Sequence, residues 1–153
     1  MNYIVCKKFN GKGLDGMFNL SKGSTCNEQN GFICHNNSKV CAKTSKNAFE
    51  FFARNDDGRG TERYAVVNEI IEKIKEYVGE DNEELLAIQE SDLTDEQKAT
   101  EINELKSKSS RIYDAIRERY PNFLRNDMDV FSFDFYNADV EDLIEARNIC
   151  LAI

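Results

Sequence analysis

The placement of turn-forming residues constrains the fold of this chain more than any other feature. Residues 1–44 hold five of the eight glycines, which lie with asparagines between short segments rich in β-branched and aromatic residues. Short segments divided in this way are typical of antiparallel strands joined by tight turns. From residue 45 onward, apolar residues recur at intervals of three and four, which is the spacing of helices. The sequence therefore predicts an α+β fold, in which a small N-terminal antiparallel sheet is followed by a helical region.

We expect the 153 residues to form a single domain, because this length suits one domain that buries its own core. Residues 1–44 are predicted to be mainly β, and residues 45–153 mainly α. The predicted strands cover residues 2–9, 17–20, 31–35 and 40–42, and the last two form a hairpin.

An antiparallel helical hairpin is predicted across residues 61–120. Its two heptad-like series, each with one polar member, run through Ile71, Ile74, Val78, Asp81, Leu85 and Ile88 and through Ile102, Leu105, Ser109, Ile112 and Ile116. A capping box at residues 94–97 begins the second helix, and Pro121 ends it. The matching series favour packing of the two helices against each other, either within one chain or between two copies.

Shorter elements are predicted on both sides of this hairpin. Thr44 or Ser45 caps a helix that ends at residues 55–58, and Asn137 or Asp139 caps the last helix. In the tail, aromatic residues alternate at Phe131, Phe133 and Phe135, which favours a strand. An aromatic helix is the alternative for this segment.

The charge of the chain is negative and unevenly distributed. The net charge is −8, but residues 1–60 contain nine basic and five acidic residues, whereas residues 61–153 contain eleven and 23. Binding to nucleic acid needs clustered Lys and Arg, so no direct nucleic-acid binding is expected. The acidic part is better suited to a partner protein with a basic surface.

The chain contains five cysteines, whose redox state depends on the cellular compartment: Cys6, Cys26, Cys34, Cys41 and Cys150. No export signal or membrane-spanning run accompanies them, so we expect a cytoplasmic protein, away from membranes, whose thiols stay reduced and buried. A zinc site is the alternative, but the close ligand pairs typical of zinc are absent. Cys34 and His35 are neighbours on a predicted strand and point to opposite faces. No metal and no other cofactor is predicted.

Two motifs with well-known functional counterparts are explained by turns. Residues 11–16 match G-x-G-x-x-G, but a dinucleotide site needs a helix directly after the glycines, and a strand is predicted there. A hairpin loop is therefore favoured. Residues 55–58 resemble the start of a calcium loop, but Val66 occupies the position where a bidentate glutamate is required, so an interhelical turn is favoured.

Two charged segments are the candidate interaction sites. The first follows residue 53, where rigid helices would present side chains of both signs: Arg54, Asn55, Asp56, Asp57, Arg59 and Arg63. The second lies in the tail, where aromatic residues stand beside Asp127, Asp129 and Asp134. The tail carboxylates are interpreted first as a solvated face, next as a surface that imitates nucleic-acid charge, and last as a magnesium site.

Four segments carry a resemblance to a known family. They are YIVCKKF at residues 3–9, VCAKTSKNA at 40–48, FARNDDGRGTER at 52–63 and DFYNADVEDL at 134–143. In these segments the chain resembles a family of small, uncharacterised proteins carried by phages and prophages of Gram-positive bacteria. The resemblance implies a phage origin and an intracellular setting during infection, and it carries over no activity, cofactor or catalytic residue. Residues 80–119 are an expansion beyond the usual length of that family.

Three hypotheses for the function follow. The first is a non-enzymatic interaction protein that binds a basic surface of a host or phage protein, such as an anti-CRISPR-like inhibitor of a host defence nuclease. The second is a metal-dependent nucleic-acid-processing enzyme built on the tail carboxylates. The third is a structural or regulatory phage component that self-associates through the helical hairpin. We favour the first, because the sequence contains no recognisable catalytic motif.

Overall fold

A computed structural model of the protein describes residues 2–105, 108–119 and 137–153. Within those ranges the elements are β1 (Asn2–Val5), β2 (Phe9–Gly13), β3 (Gly16–Leu20), β4 (Thr25–Gln29), β5 (Phe32–His35), β6 (Ser38–Ala42), α1 (Lys46–Phe51), β7 (Phe52–Arg54), α2 (Gly60–Gln89), α3 (Asp95–Glu104), α4 (Lys108–Arg119) and α5 (Val140–Leu151). The predicted α+β class is confirmed, with the sheet first and most of the helices after it. The alternating phenylalanines of the tail lie outside the described residues.

The main sheet has five antiparallel strands in the order β6-β5-β4-β1-β7. The predicted hairpin of residues 31–35 and 40–42 is confirmed as β5 and β6, which are joined at Asn36 and Asn37. These two asparagines have φ angles of 50° and 66°, a conformation that asparagine tolerates better than most residues. The sequence does not predict β4, because its residues, TCNEQ, are mostly polar and show no apolar alternation.

The predicted strand at residues 2–9 is divided into β1 and β2. The chain turns at Cys6 and Lys7, whose backbone N–H groups donate to the Phe51 carbonyl at 2.8 and 3.4 Å. β2 then pairs with β3 in a separate two-stranded sheet that contains the G-x-G-x-x-G residues. The hairpin interpretation of that motif is confirmed. A Cβ added to Gly13 would lie 2.6 Å from the Phe18 ring, so this glycine lets the ring fold over β2.

The first helix is shorter than predicted. Ser45 caps it by accepting the Ala48 N–H at 3.3 Å, but the helix ends at Phe51. Residues 52–54 form β7, which pairs with β1 and places Phe52 in the core of the sheet. Burial of this ring favours the strand over continuation of the helix. The segment predicted as an interhelical turn, residues 55–58, therefore connects a strand to a helix.

The described residues form two hydrophobic clusters. The first lies between the main sheet, the β2–β3 hairpin and α1, and contains Tyr3, Val5, Phe9, Leu20, Cys26, Ile33, Val40, Cys41, Ala48 and Phe52. The second lies mainly among α2, α4 and α5, and contains Val66, Val67, Ile70, Ile74, Tyr77, Ile112, Ile116, Ala138, Leu143, Ala146 and Cys150. The helices thus have an apolar centre of their own beside that of the sheet.

Helix α2 has 30 residues, which corresponds to roughly 45 Å at the usual rise of an α-helix. Gly79 does not interrupt it. α4 runs back along α2, because its first residue, Lys108, donates its N–H to Asp81 Oδ1 at 2.8 Å, while Ile112 and Ile116, further along α4, belong to the cluster of α2 residues that ends at Tyr77. The predicted antiparallel hairpin is therefore confirmed.

The second arm of this hairpin differs from the prediction. Its capping box is present, since Thr94 Oγ1 accepts the Gln97 N–H at 3.2 Å and the Gln97 side chain accepts the Thr94 N–H at 3.1 Å. However, the arm is divided into α3 and α4, and α3 ends before Leu105, whose backbone is extended. The three-four spacing from Ile102 to Ile116, in which only Ser109 is polar, conceals this division in the sequence.

Candidate functional site

The loop between β7 and α2, residues 55–59 and hereafter the junction loop, is held in place at both ends. Asn55 N–H donates to the Asn2 carbonyl at 2.8 Å, which continues the pairing of β7 with β1. The Asn55 side chain accepts the Gly60 N–H at 2.8 Å and satisfies one of the free N–H groups at the start of α2. Gly58 has a φ of 74°, a conformation that favours glycine.

Gly60 lets α2 begin in direct contact with the sheet. A Cβ at this position would lie 2.7 Å from Ile4 Cγ2 and 2.9 Å from the Arg54 carbonyl oxygen. Both distances are shorter than ordinary van der Waals contacts, so no larger residue fits without a shift of the backbone. This close approach fixes where the charged side chains of α2 meet the loop.

Arg63 is a fully buried charge, with 0% of its surface exposed. Its Nε donates to the Ala138 carbonyl at 2.9 Å, its Nη1 donates to the Arg54 carbonyl, and its Nη2 donates to Asp57 Oδ2 at 2.6 Å. A buried guanidinium requires such partners, and these link β7, the junction loop and the start of α5. The side chain has no exposed surface for a partner, which corrects the expectation that Arg63 contacts one.

Asp57 is the charge partner of Arg63. Its second carboxylate oxygen accepts the Arg59 N–H at 3.0 Å. The hydrogen bond from Arg63 is the main reason that the pKa of Asp57 is lowered to about 2, because it favours the ionised carboxylate. Asp57 is therefore charged at neutral pH and committed to contacts within the chain.

Arg54 connects the same region to the beginning of α5. Its Nη1 donates to the Asn137 carbonyl at 2.6 Å, and its Nη2 donates to Asp139 Oδ1 at 3.2 Å. Asp139 is the N-cap residue of α5, one of the two predicted candidates, but its side chain makes no capping bond. Its carboxylate faces Arg54 instead, so the junction and the last helix share one set of charges.

Arg59 lies at the outer rim of the junction. Its Nε and Nη2 donate to the two Glu62 oxygens at 2.9 and 3.0 Å, and its Nη1 donates to Glu141 of α5. These hydrogen bonds lower the pKa of Glu62 and of Glu141 and raise the pKa of Arg59. Exposed ion pairs of this kind contribute little to stability, so a partner can exchange for them at low cost.

Of the two predicted interaction segments, the structure describes the one at residues 54–63 and brings its side chains together. One network at the junction between sheet and helices contains Arg54, Asn55, Asp56, Asp57, Arg59 and Arg63. Within it, Asp56 is exposed and accepts the Asn2 N–H. The prediction of a contact region stays open for the rim, at Asp56 and Arg59. The other predicted residues, Asp127, Asp129 and Asp134, lie outside the described residues.

A more strongly charged surface occupies the end of the helical hairpin, residues 80–105 and hereafter the acidic tip. It contains ten acidic residues and a single basic one, Lys98. Eight of the ten are exposed: Glu83, Glu84, Glu90, Asp92, Asp95, Glu96, Glu101 and Glu104. These residues are not among the contact sites predicted from the sequence, although a count of charges along the chain is a sufficient signal for them.

The acidic tip has little hydrophobic core of its own. α3 has no fully buried residue, and the buried residues of α2 end at Tyr77. Within the tip, Leu86 is 51% exposed, and the other large apolar side chains are half-buried: Leu85, Ile88, Leu93, Ile102 and Leu105. The tip therefore presents partly uncovered apolar groups among carboxylates.

All five cysteines are buried and free, as predicted. Cys26 Sγ lies 3.9 Å from His35 Nδ1, but burial raises the pKa of Cys26 to about 11. This thiol is therefore protonated at neutral pH and is a poor nucleophile. Among the residues described, no group of three or more His, Cys, Asp or Glu is placed to hold a metal ion.

Within the described ranges, no helix has the length and apolar character required to cross a bilayer. Comparison with protein-family models, curated proteins and solved structures finds no match for this chain. The two candidate surfaces, the junction rim and the acidic tip, differ in one important respect: the junction charges are mostly paired, whereas most tip carboxylates face solvent.

Proposed function

We propose that this is a non-enzymatic interaction protein, encoded by a phage or prophage, that binds a basic protein surface through its acidic tip. The observation that carries the proposal is the charge of residues 80–105, with ten acidic residues against one lysine. Opposite charges steer association and select partners. The target that we propose is a host defence nuclease, in whose basic groove the carboxylates take the place of nucleic-acid phosphates.

The position of the tip supports this function. The buried part of α2 ends at Tyr77, whereas the helix continues to Gln89, so the carboxylates project beyond the helical cluster. At the base of the tip, Lys108 pairs with Glu80 and its N–H donates to Asp81 at 2.8 Å. These contacts hold α4 against α2 at the base of the tip, and the surface that we propose to enter a groove lies beyond them.

The charge of the tip also favours one kind of partner over another. In a dimer formed through two tips, carboxylates of like charge would face each other and repel. A basic surface on a different protein is therefore favoured over a second copy of this chain. The apolar side chains of the tip would then be covered by the partner, which adds hydrophobic burial to charge attraction. The proposed setting is the cytoplasm of the infected or lysogenic host.

Affinity capture from a host lysate tests the proposal. The tagged protein is incubated with lysate at low and at high salt, and the bound proteins are identified by mass spectrometry. We expect one basic protein that is lost as salt rises, because salt screens exposed charges. The captured protein is then assayed for nucleic-acid cleavage, which we expect the purified chain to inhibit. Recovery of only this chain, or a captured protein without nuclease activity, would contradict the proposal.

A matched pair of variants separates the tip from the net charge. Glu83→Gln with Glu84→Gln removes two exposed charges from the tip, and Asp114→Asn with Glu118→Gln removes two exposed charges from α4. We expect the first pair to weaken capture and inhibition, and the second pair to retain both. Equal losses in the two variants would show that net charge, and not the tip, is responsible.

A further inference from the structure

The outer edge of the β2–β3 hairpin is a second surface with a different character. β3 pairs with β2 and with no other strand in the described part of the chain. The turn of this hairpin faces the main sheet, where the Leu14 and Asp15 N–H groups donate to the Val40 and Lys39 carbonyls at 3.1 and 3.0 Å. Of the two strands, β2 is the one that packs beside β6, which places β3 on the outer side of the hairpin.

The register shows which backbone groups of β3 are available. Gly13 faces Gly16 across a two-residue turn, and such a turn is closed by a pair that exchanges both hydrogen bonds. Because bonded and non-bonded pairs alternate, Met17 and Asn19 direct their N–H and C=O groups away from β2. Within the described ranges, neither residue makes a backbone bond to another element.

This edge lacks the features that usually protect an exposed strand. Its five residues, GMFNL, include no charge and no proline, and the pairing with β2 is regular. Leu14 is 59% exposed and Met17 is 74% exposed, the two highest values among the large apolar side chains of the described residues. Free backbone groups beside exposed apolar side chains are the requirements for addition of a strand from another chain.

The surrounding charge indicates the kind of strand that fits. Lys12 lies opposite Met17 in the register, Lys22 follows β3, and Lys39 contacts the turn. All three are exposed, and in the described part of the chain no ion pair joins their ammonium groups to a carboxylate. The one carboxylate contact is made by the backbone, where the Lys39 N–H donates to Asp15 Oδ2 at 2.7 Å. A second copy would bring the same lysines to the edge, and their repulsion disfavours it. An acidic strand is complementary.

We propose that the free edge of β3 binds an extended acidic segment of another protein by strand addition. Met17 and Asn19 supply the main-chain hydrogen bonds, and Leu14 and Met17 supply the apolar contact. The neighbouring lysines select carboxylates on the incoming strand. This surface is separate from the acidic tip, so it gives the protein two contact regions of opposite charge.

Synthetic peptides test the edge directly. The probe is an acetylated, amidated heptapeptide of alternating glutamate and valine, and its controls are the lysine–valine counterpart and an N-methylated version that cannot pair. Binding is followed by amide chemical shifts of the intact protein. We expect saturable shifts at Met17 and Asn19, with both controls at least tenfold weaker. Absence of binding, equal binding of the lysine peptide, or shifts confined to other residues would overturn the proposal.

Variants of the edge supply the second arm of the test. Asn19→Pro removes an outward N–H that the hairpin does not use, and we expect it to weaken binding of the glutamate peptide at least tenfold. Asn19→Ala keeps the N–H and should bind as the unmodified chain does. If the proline variant loses its hairpin, Met17→Glu replaces it, because this change leaves the backbone intact and repels the probe. Unchanged binding in Met17→Glu would overturn the proposal. The double variant Glu83→Gln with Glu84→Gln, which alters only the acidic tip, is the negative control and should bind the peptide as the unmodified chain does.

Discussion

Arg59 and Arg63 are four positions apart in the sequence, yet the structure uses their charges differently. Arg63 is buried and donates to the Arg54 and Ala138 carbonyls as well as to Asp57. Arg59 lies at the rim, and both of its carboxylate partners are exposed. Loss of a buried donor leaves acceptors without hydrogen bonds, whereas water replaces an exposed donor.

We therefore expect Arg63→Met to lower the free energy of unfolding by about 2–4 kcal/mol, because two buried carbonyls and a carboxylate lose their donor. Arg59→Met is the matched control, and we expect little change in its stability. Urea unfolding followed by circular dichroism measures both variants. Similar losses in the two would contradict a structural role that is special to Arg63.

Asp57 makes part of the stability dependent on pH. Its pKa is lowered from 3.8 to about 2 in the folded chain, so the carboxylate binds protons less readily when folded than when unfolded. The stabilisation is fully present above pH 4 and is lost as the pH falls from about 4 to 2. We expect Asp57→Asn to flatten this part of the profile of urea midpoint against pH. Asp92→Asn, which removes an exposed carboxylate of the acidic tip, is the control, and a flattening as large as that of Asp57→Asn would contradict the role of the Arg63 contact.

At the scale of elements, α2 contains two glycines with opposite requirements. Gly60 begins the helix against Ile4 and has no room for a Cβ, whereas nothing lies within 4 Å of a Cβ at Gly79. The sequence allows Gly79 to end or interrupt the helix, but α2 continues through it to Gln89. Packing of the neighbouring turns overrides the low helix propensity of glycine.

Alanine at these two positions should therefore have opposite effects. We expect Gly79→Ala to raise the free energy of unfolding by about 0.5–1 kcal/mol, because alanine loses less backbone entropy in a helix. We expect Gly60→Ala to lower it by about 1–3 kcal/mol through overpacking against the sheet. Thermal and urea unfolding of the two variants measures both values. Stabilisation by alanine at both sites would contradict the close contact of Gly60 with Ile4.

The elements that sequence patterns predict well are those with local signals. The β5–β6 hairpin follows from its asparagine turn, and α3 follows from the Thr94 capping box. β7 cannot be found in this way, because residues 52–54 continue a helical apolar pattern and become a strand only through pairing with β1. The predicted charged loop is likewise a single network, but burial of Arg63 depends on α5, which is remote in the sequence.

At the scale of the whole molecule, burial and charge are both unevenly distributed. Among the described residues, most of the fully buried ones lie in the sheet cluster, the helical cluster and the junction between them, whereas the large apolar residues of the acidic tip are half-buried or exposed. The basic edge of β3 and the acidic tip are opposite in sign. The two proposed contact surfaces therefore call for partners of opposite charge.

This distribution predicts unequal local stability. We expect backbone amides in α3 and in the last three turns of α2 to exchange with deuterium roughly tenfold faster, or more, than those near Ile70, because few buried contacts oppose local opening there. Hydrogen exchange followed by mass spectrometry measures the difference. Equal protection along the full length of α2 would indicate that the tip is stabilised as strongly as the helical cluster.

The buried cysteines have a practical consequence for following how the molecule opens. Burial raises the pKa of Cys6, Cys26 and Cys150 to about 11, so an alkylating reagent labels these thiols only when their surroundings separate. Cys150 belongs to the helical cluster and Cys26 to the sheet cluster. Mass spectrometry of the peptides that contain Cys150 and Cys26 shows which thiol is labelled first, and therefore which half of the chain opens first. Simultaneous labelling would mean that sheet and helices unfold in a single cooperative step.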